Sequence, residues 1–183
     1  AAGDYNVPWP HSDTRLGVQY SFSRVHLGDF LEDLNIKGQA YQLTPYSQFR
    51  VFTLPHLQSN LEVGFDFKDI KVELLGQESG KDVLRVLRPR LSFDQDDKWG
   101  RTYFTNEFGF GIPVIFGASR RHDSSSTRAG GGGQFFKYAG SLVRVQRLPY
   151  SAFLIGRGYA QLSEDLLVSA EQLRLGGMDT VRG

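Results

Sequence analysis

The residue best placed for chemistry is Arg182. It closes the stretch Glu171-Gln172-Leu173-Arg174-Leu175-Gly176-Gly177-Met178-Asp179-Thr180-Val181-Arg182-Gly183, in which the paired glycines allow backbone angles closed to other residues and Gly183 allows a second tight bend. Such a tongue presents one guanidinium, a group that pairs with carboxylates through charge-assisted hydrogen bonds and does not titrate. Gly-Gly before a polar turn also ends many ordinary strands. The loop motif Gly176, Gly177, Val181, Arg182 and Gly183 therefore takes its meaning from the rest of the chain.

Other candidate chemistries reduce to structural roles. The sequence has no cysteine, which removes disulfides, thiolate metal sites and cysteine nucleophiles together. Gly130 to Gly133 lacks the Lys-Ser/Thr of a phosphate loop and reads as a flexible surface loop. His11, His26, His56 and His122 fall in loops or at strand ends without metal spacing. Asp94, Asp96 and Asp97 read as a solvated turn rather than a cation site. Arg120-Arg121-His122 reads as an exposed basic tip that could face lipopolysaccharide, and no Ser-His-Asp arrangement is evident. We expect no enzyme, no cofactor and no metal.

Twenty-one basic and 20 acidic residues give a formal charge of +1, so nothing pulls the chain toward nucleic acid. The 183 residues suffice for one domain. Twenty-one glycines and 13% aromatics suit an all-β domain, where glycines fill turns and aromatics pack on pleated faces. No run approaches the ~18 apolar residues of a membrane helix, and the Ala-Ala-Gly start carries no signal segment. The only methionine is Met178, from which a fragment or processed product is expected.

The elements that must position the tongue are strands. After turn chemistry over Gly3 to Asp13, a period of two begins at Arg15, with Leu16, Val18, Tyr20 and Phe22 opposing Gly17, Gln19, Ser21 and Ser23. An extended piece from Lys37 to Thr53 follows, in which Pro45 predicts a bulge or gap in the ladder. Leu61, Val63, Phe65 and Phe67 then oppose Glu62, Gly64, Asp66 and Lys68, and Leu87, Pro89, Leu91 and Phe93 oppose Arg88, Arg90, Ser92 and Asp94. Further strands fall near Tyr103–Ile112, Phe135–Arg147 and Ser151–Gln161. Seven strands of roughly 10–12 residues match the ~9–11 that cross a bilayer at a tilt. Turns near 55–60, 96–100 and 148–150 are short, whereas connections near 27–36, 73–82, 113–134 and the terminal tongue are long. In a meander every long loop then falls at one end, as in transmembrane β-barrels.

Alternation alone also suits a soluble β-sandwich, in which Trp9 and Trp99 would be stacking platforms for a ligand such as carbohydrate. The polar faces decide for the barrel. Gly17-Gln19-Ser21-Ser23 and Glu62-Gly64-Asp66-Lys68 suit a lumen, and the opposite faces, apolar and without charge, suit lipid. Seven strands cannot close a spanning barrel, because unpaired edge groups would face hydrocarbon at several kcal/mol each. The parent protein is expected to supply more.

Leu175-Gly176-Gly177-x-x-x-Val181-Arg182-Gly183 resembles the sixth-extracellular-loop motif of the ShlB/FhaC/HecB group, the TpsB transporters of two-partner secretion. Arg15 to Leu27, the Leu54-Pro55 turn into Asn60-Leu61 and Gly64-Phe65-Asp66, Asp97-x-Trp99-Gly100, and Arg144-x-Gln146-Arg147-Leu148-Pro149 resemble its successive landmarks. The resemblance implies an antiparallel meander that forms part of a 16-stranded outer-membrane barrel of a Gram-negative cell. Residues 1–183 would hold strands five to eleven and end inside the sixth loop, with POTRA domains and the C-terminal strands outside. It implies export of an unfolded TpsA-like exoprotein encoded nearby, contact with outer-membrane lipid and lipopolysaccharide, and a lumenal latch between Arg182 and an acidic residue of a later strand. A related barrel that assembles other outer-membrane proteins would share the loop. The fragment by itself is expected to transport nothing.

Overall fold

The computed structural model describes residues 1–10, 12–26, 36–121 and 123–173. Among these, β1 (Ala2–Pro8), β2 (Arg15–His26), β3 (Lys37–Leu54), β4 (Leu57–Leu74), β5 (Gln77–Asp97), β6 (Gly100–Gly111), β7 (Phe135–Arg147) and β8 (Phe153–Ser163) form one antiparallel sheet. Each strand pairs only with its neighbours in sequence, as in an all-β meander, and the two facing sheets of a sandwich do not form.

Register sorts the side chains onto two faces. Gly64 lies opposite Arg88, Glu62 opposite Arg90, and Arg90 opposite Glu107, so one face gathers charge. Phe67 lies opposite Leu43 and Arg85, and Phe104 opposite Leu142, on the other. We call the first face inner, because residues 165–173 return across it. From Ser59 to Phe67, Leu87 to Phe93, Phe104 to Phe110 and Phe136 to Leu142, the outer face carries no charge. Asn106, its one amide, accepts a hydrogen bond from Tyr138 Oη at 2.9 Å. Eight residues at ~3.4 Å each, tilted by ~40°, make this band about 20 Å tall, close to the ~25 Å apolar band of a membrane barrel. Charge does appear on the outer face beyond the band, at Asp69, Lys71 and Arg85 toward one end and Asp97 and Arg144 toward the other. The expectation of a wholly uncharged face is corrected to that extent.

Other expectations change. The opening is a strand instead of a turn: β1 runs beside β2 from Ala2–Ser21 to Pro8–Arg15, which makes eight strands where seven were expected. Its prolines and Asn/Asp residues masked the alternation. An edge tolerates Pro8 at a strand end, and Asp4 is useful there, accepting from Gln19 Nε2 at 2.7 Å and Tyr46 Oη at 3.0 Å. Residues 73–81 are no loop. β4 and β5 continue to Leu74 and Gln77, leaving Leu75 and Gly76, both at positive φ, as a two-residue hairpin turn. Strands β3 to β5 thus reach 18, 18 and 21 residues, longer than a bilayer crossing needs. Pro45 does interrupt its ladder: pairing with β4 skips from Leu43–Phe67 to Tyr46–Gly64.

The overhang of β5 explains the long connection 112–134. Pairing with β6 ends at Val86–Gly111, which leaves the upper edge of β5 open. The connection closes that edge: Ile112 N–H donates to Arg85 O and Ser119 N–H to Val83 O, both at 2.8 Å, and Lys81 N–H donates to Ser125 O at 2.7 Å. Asp82, 1% exposed, accepts from Ser126 Oγ at 2.7 Å, Thr127 N–H at 3.1 Å and Thr127 Oγ1. Asp123 accepts from the hydroxyl and amide of Ser125, which holds its carboxyl below the usual range. The glycine run is packed instead of loose; a Cβ on Gly132 would meet Arg121 O at 2.0 Å. Unpaired strand edges template aggregation, and this one is covered.

At the opposite end, two sequence landmarks form one unit. Arg144 donates to Asp97 at 2.6 and 3.1 Å and to Thr102 Oγ1 at 2.7 Å, while Trp99 O accepts from Arg147 N–H at 2.6 Å and Gln146 Nε2 at 2.9 Å. This close approach needs Gly100, where a Cβ would lie 1.9 Å from Val145 O. Gly100→Ala should lower stability by about 1–3 kcal/mol, whereas Gly156→Ala, with nothing within 4 Å, should be nearly neutral. Thermal unfolding of both variants of the complete protein in detergent checks this.

Candidate functional site

The inner face carries an ion network that runs from strand to strand. Alternation puts Glu62, Asp66 and Lys68 of β4, Arg88 and Arg90 of β5, Glu107 of β6 and Lys137 of β7 on this one face. Asp66 accepts from Thr44 Oγ1 at 2.9 Å and Arg88 Nε at 3.3 Å, and lies 3.2 Å from Lys68 Nζ. Glu107 accepts from Arg90 at 2.6 and 2.9 Å and from Arg88 at 3.3 Å. Glu62 lies 3.5 Å from both arginines.

The fourth carboxylate comes from outside the sheet. After β8 the chain turns back, pinned by Ser163 Oγ, which donates to Phe136 O at 2.8 Å, and by Asp165, which accepts from Phe136 N–H at 3.1 Å. Leu167 and Val168 then pack on Leu84, Val86 and Phe135 with Ile70 alongside, and Val168 is fully buried. Each such side chain gains ~1.5–3 kcal/mol. A short 3-10 turn, Ser169–Glu171, aims Glu171 into the wall. Its side chain, 1% exposed, accepts from Lys68 Nζ at 2.7 Å and Lys137 Nζ at 2.5 Å, and its carbonyl accepts from Gln161 Nε2 at 2.7 Å.

Four cations (Lys68, Arg88, Arg90, Lys137) thus meet four anions (Glu62, Asp66, Glu107, Glu171). Burial of any of them is tolerable only because the set is neutral. The arrangement clamps the segment that leads out of β8 against the wall.

Of the residues expected to form the site, Gly176, Gly177, Val181, Arg182 and Gly183 lie outside the described residues. What the structure describes is the limb that leads to them. Of the lumenal faces read from sequence, Glu62, Asp66 and Lys68 do enter the network. The sequence does not single out Glu171, Leu167 and Val168; the stretch Leu166-Leu167-Val168-Ser169-Ala170-Glu171-Gln172 follows neither a period of two nor one of 3.6. The acidic turn carries ion pairs, Asp94 with Arg101 at 2.5 Å and Asp97 with Arg144 at 2.6 Å, so it is less solvated than expected. Trp9 and Trp99 are exposed in separate connections.

Glu171→Ala leaves Lys137 without its carboxylate in the wall and should destabilise by about 3–5 kcal/mol. The double variant Glu171→Leu/Lys137→Met should recover part of that loss, because it removes both charges. Unfolding curves of the two variants, with limited proteolysis across 164–173, check both statements.

The family model described as haemolysin secretion/activation protein ShlB/FhaC/HecB matches the chain over residues 1–183. Comparison with curated proteins gives no match, and comparison with solved structures gives none. The match covers every strand of the meander and the segment clamped by Glu171. The chain belongs to the ShlB/FhaC/HecB family of haemolysin secretion/activation proteins, the transporters of two-partner secretion.

Proposed function

We propose that residues 1–183 form part of the wall of an outer-membrane translocator that exports an unfolded exoprotein, of haemolysin or adhesin type and encoded nearby, through its barrel. The observation that carries this reading is the junction of Lys68, Glu171 and Lys137, which draws the root of the tongue onto the charged face. A limb tied to the inner wall delivers the following residues toward the lumen. There Arg182, with Gly176, Gly177, Val181 and Gly183 shaping its loop, pairs with a carboxylate of a later strand and acts as a latch.

The family match, the charge-free outer band and the unpaired edges of β1 and β8 support a membrane barrel of sixteen strands, completed by strands outside residues 1–183. Counted back from the sixth loop, the eight strands take places four to eleven. The band then faces lipid, and the end bearing 112–134, with Arg120 and Arg121 exposed, faces lipopolysaccharide outside the cell.

In the complete protein, Arg182→Ala should reduce secretion of the exoprotein while surface levels of the barrel stay normal. Secretion assayed in culture supernatant, with heat-modifiable mobility of the barrel as the assembly control, checks this. Normal secretion at normal surface levels would refute the latch. A general fall in outer-membrane proteins on deletion, in place of loss of one exoprotein, would assign the barrel to assembly.

A further inference from the structure

Residues 113–118 form an arch that serves neither the inner network nor the sheet. Both its feet stand on β5, where Ile112 N–H donates to Arg85 O and Ser119 N–H to Val83 O, each at 2.8 Å. Between positions only two residues apart on β5, six residues must bulge out. The chain manages this with three positive-φ residues flanking Ile115: Val114 has φ 72°, Phe116 φ 46° and Gly117 φ 74°. For the glycine that is free, but a β-branched Val and a bulky Phe there are strained.

The strain turns apolar side chains outward. Val114 is 69% and Phe116 73% exposed, while the Phe116 ring still packs edge-on to Phe65 at 6.5 Å and tilted on Phe67 at 5.8 Å. Those two phenylalanines are the upper rim of the charge-free outer band, so the arch continues the band. Beneath it lies the group that most needs shielding. Arg85 points to the outer face just above the band, with its guanidinium 5.2 Å from the Phe67 ring, and pairs with Asp69 at 2.8 Å. Its side chain is 9% exposed and its Nε is buried without a hydrogen-bond partner. A cation at the edge of hydrocarbon is costly unless covered.

We propose that the arch Val114-Ile115-Phe116 is a lipid anchor: it inserts into the outer-leaflet boundary of the bilayer, prolongs the apolar band by one layer, and keeps hydrocarbon off the Arg85 guanidinium. The occupant is lipid rather than a protein because the arch is continuous with the band and convex, offering no groove to a partner chain. This inference rests on the membrane-barrel reading.

Single cysteines at Phe116, Leu142 and Ser124, each labelled with an environment-sensitive fluorophore in the complete protein, test it in phosphatidylcholine vesicles carrying spin-labelled chains. Leu142 lies on the outer face at the end of the band away from the arch, and Ser124 is exposed in the same connection as the arch. The Phe116→Cys and Leu142→Cys labels should both lose emission to the spin-labelled chains, each to quenchers placed near the headgroups of its own side, and Ser124→Cys to none. An Ile115→Cys label gives the same reading if substitution of Phe116 impairs folding. Quenching at Leu142 without quenching at 115 or 116 overturns the anchor and leaves the barrel standing, and a blue-shifted but unquenched label at 116 would assign the arch to a protein contact. Absence of quenching at Leu142 as well overturns both readings.

Discussion

Neutrality on the inner face is the constraint on which the rest of this structure depends. Asp66 and Glu171 are almost wholly removed from solvent, and burial of such carboxylates is costly unless cations lie beside them. Four cations and four anions, spread over β4, β5, β6, β7 and the returning segment, cancel one another. Since every pair but Lys68–Asp66 joins different elements, the network fixes register across the sheet as well as charge. A one-residue slip of β5 against β4 would send Arg88 and Arg90 to the outer face, away from Glu62 and Asp66.

Much of this was legible from the residues. The alternations of Leu61–Lys68 and Leu87–Asp94 gave faces that the register confirms, and Pro45 marked a real break in the ladder. The landmarks Asp97-x-Trp99-Gly100 and Arg144-x-Gln146-Arg147 could be recognised separately, while their joining through Arg144 and Trp99 O could not, since 47 residues separate the partners.

What stayed hidden did so for physical reasons. Strand β1 is short, edge-placed and rich in turn formers, so its propensity argued against its pairing. The extension of β4 and β5 beyond the band inverts the pattern, with Asp69, Lys71 and Arg85 on the outer face and Ile70, Leu84 and Val86 on the inner, so the alternation of the band does not carry through it. Glu171 has no local signature at all: its partners Lys68 and Lys137 lie 103 and 34 residues away, and only the fold brings them together.

That separation also orders the events by which the molecule takes shape. Every ladder in the sheet joins neighbours in sequence, so each strand can be added to the last at the entropic cost of one loop, and that cost rises only slowly with loop length. The contact between Lys68 and Glu171 spans four hairpin connections and needs β4 and β7 already side by side with β5 and β6 between them. Low contact order describes the wall, and high contact order describes its clamp. The clamp therefore closes last, on a wall already built, and it is the first tie to give way when that order is reversed.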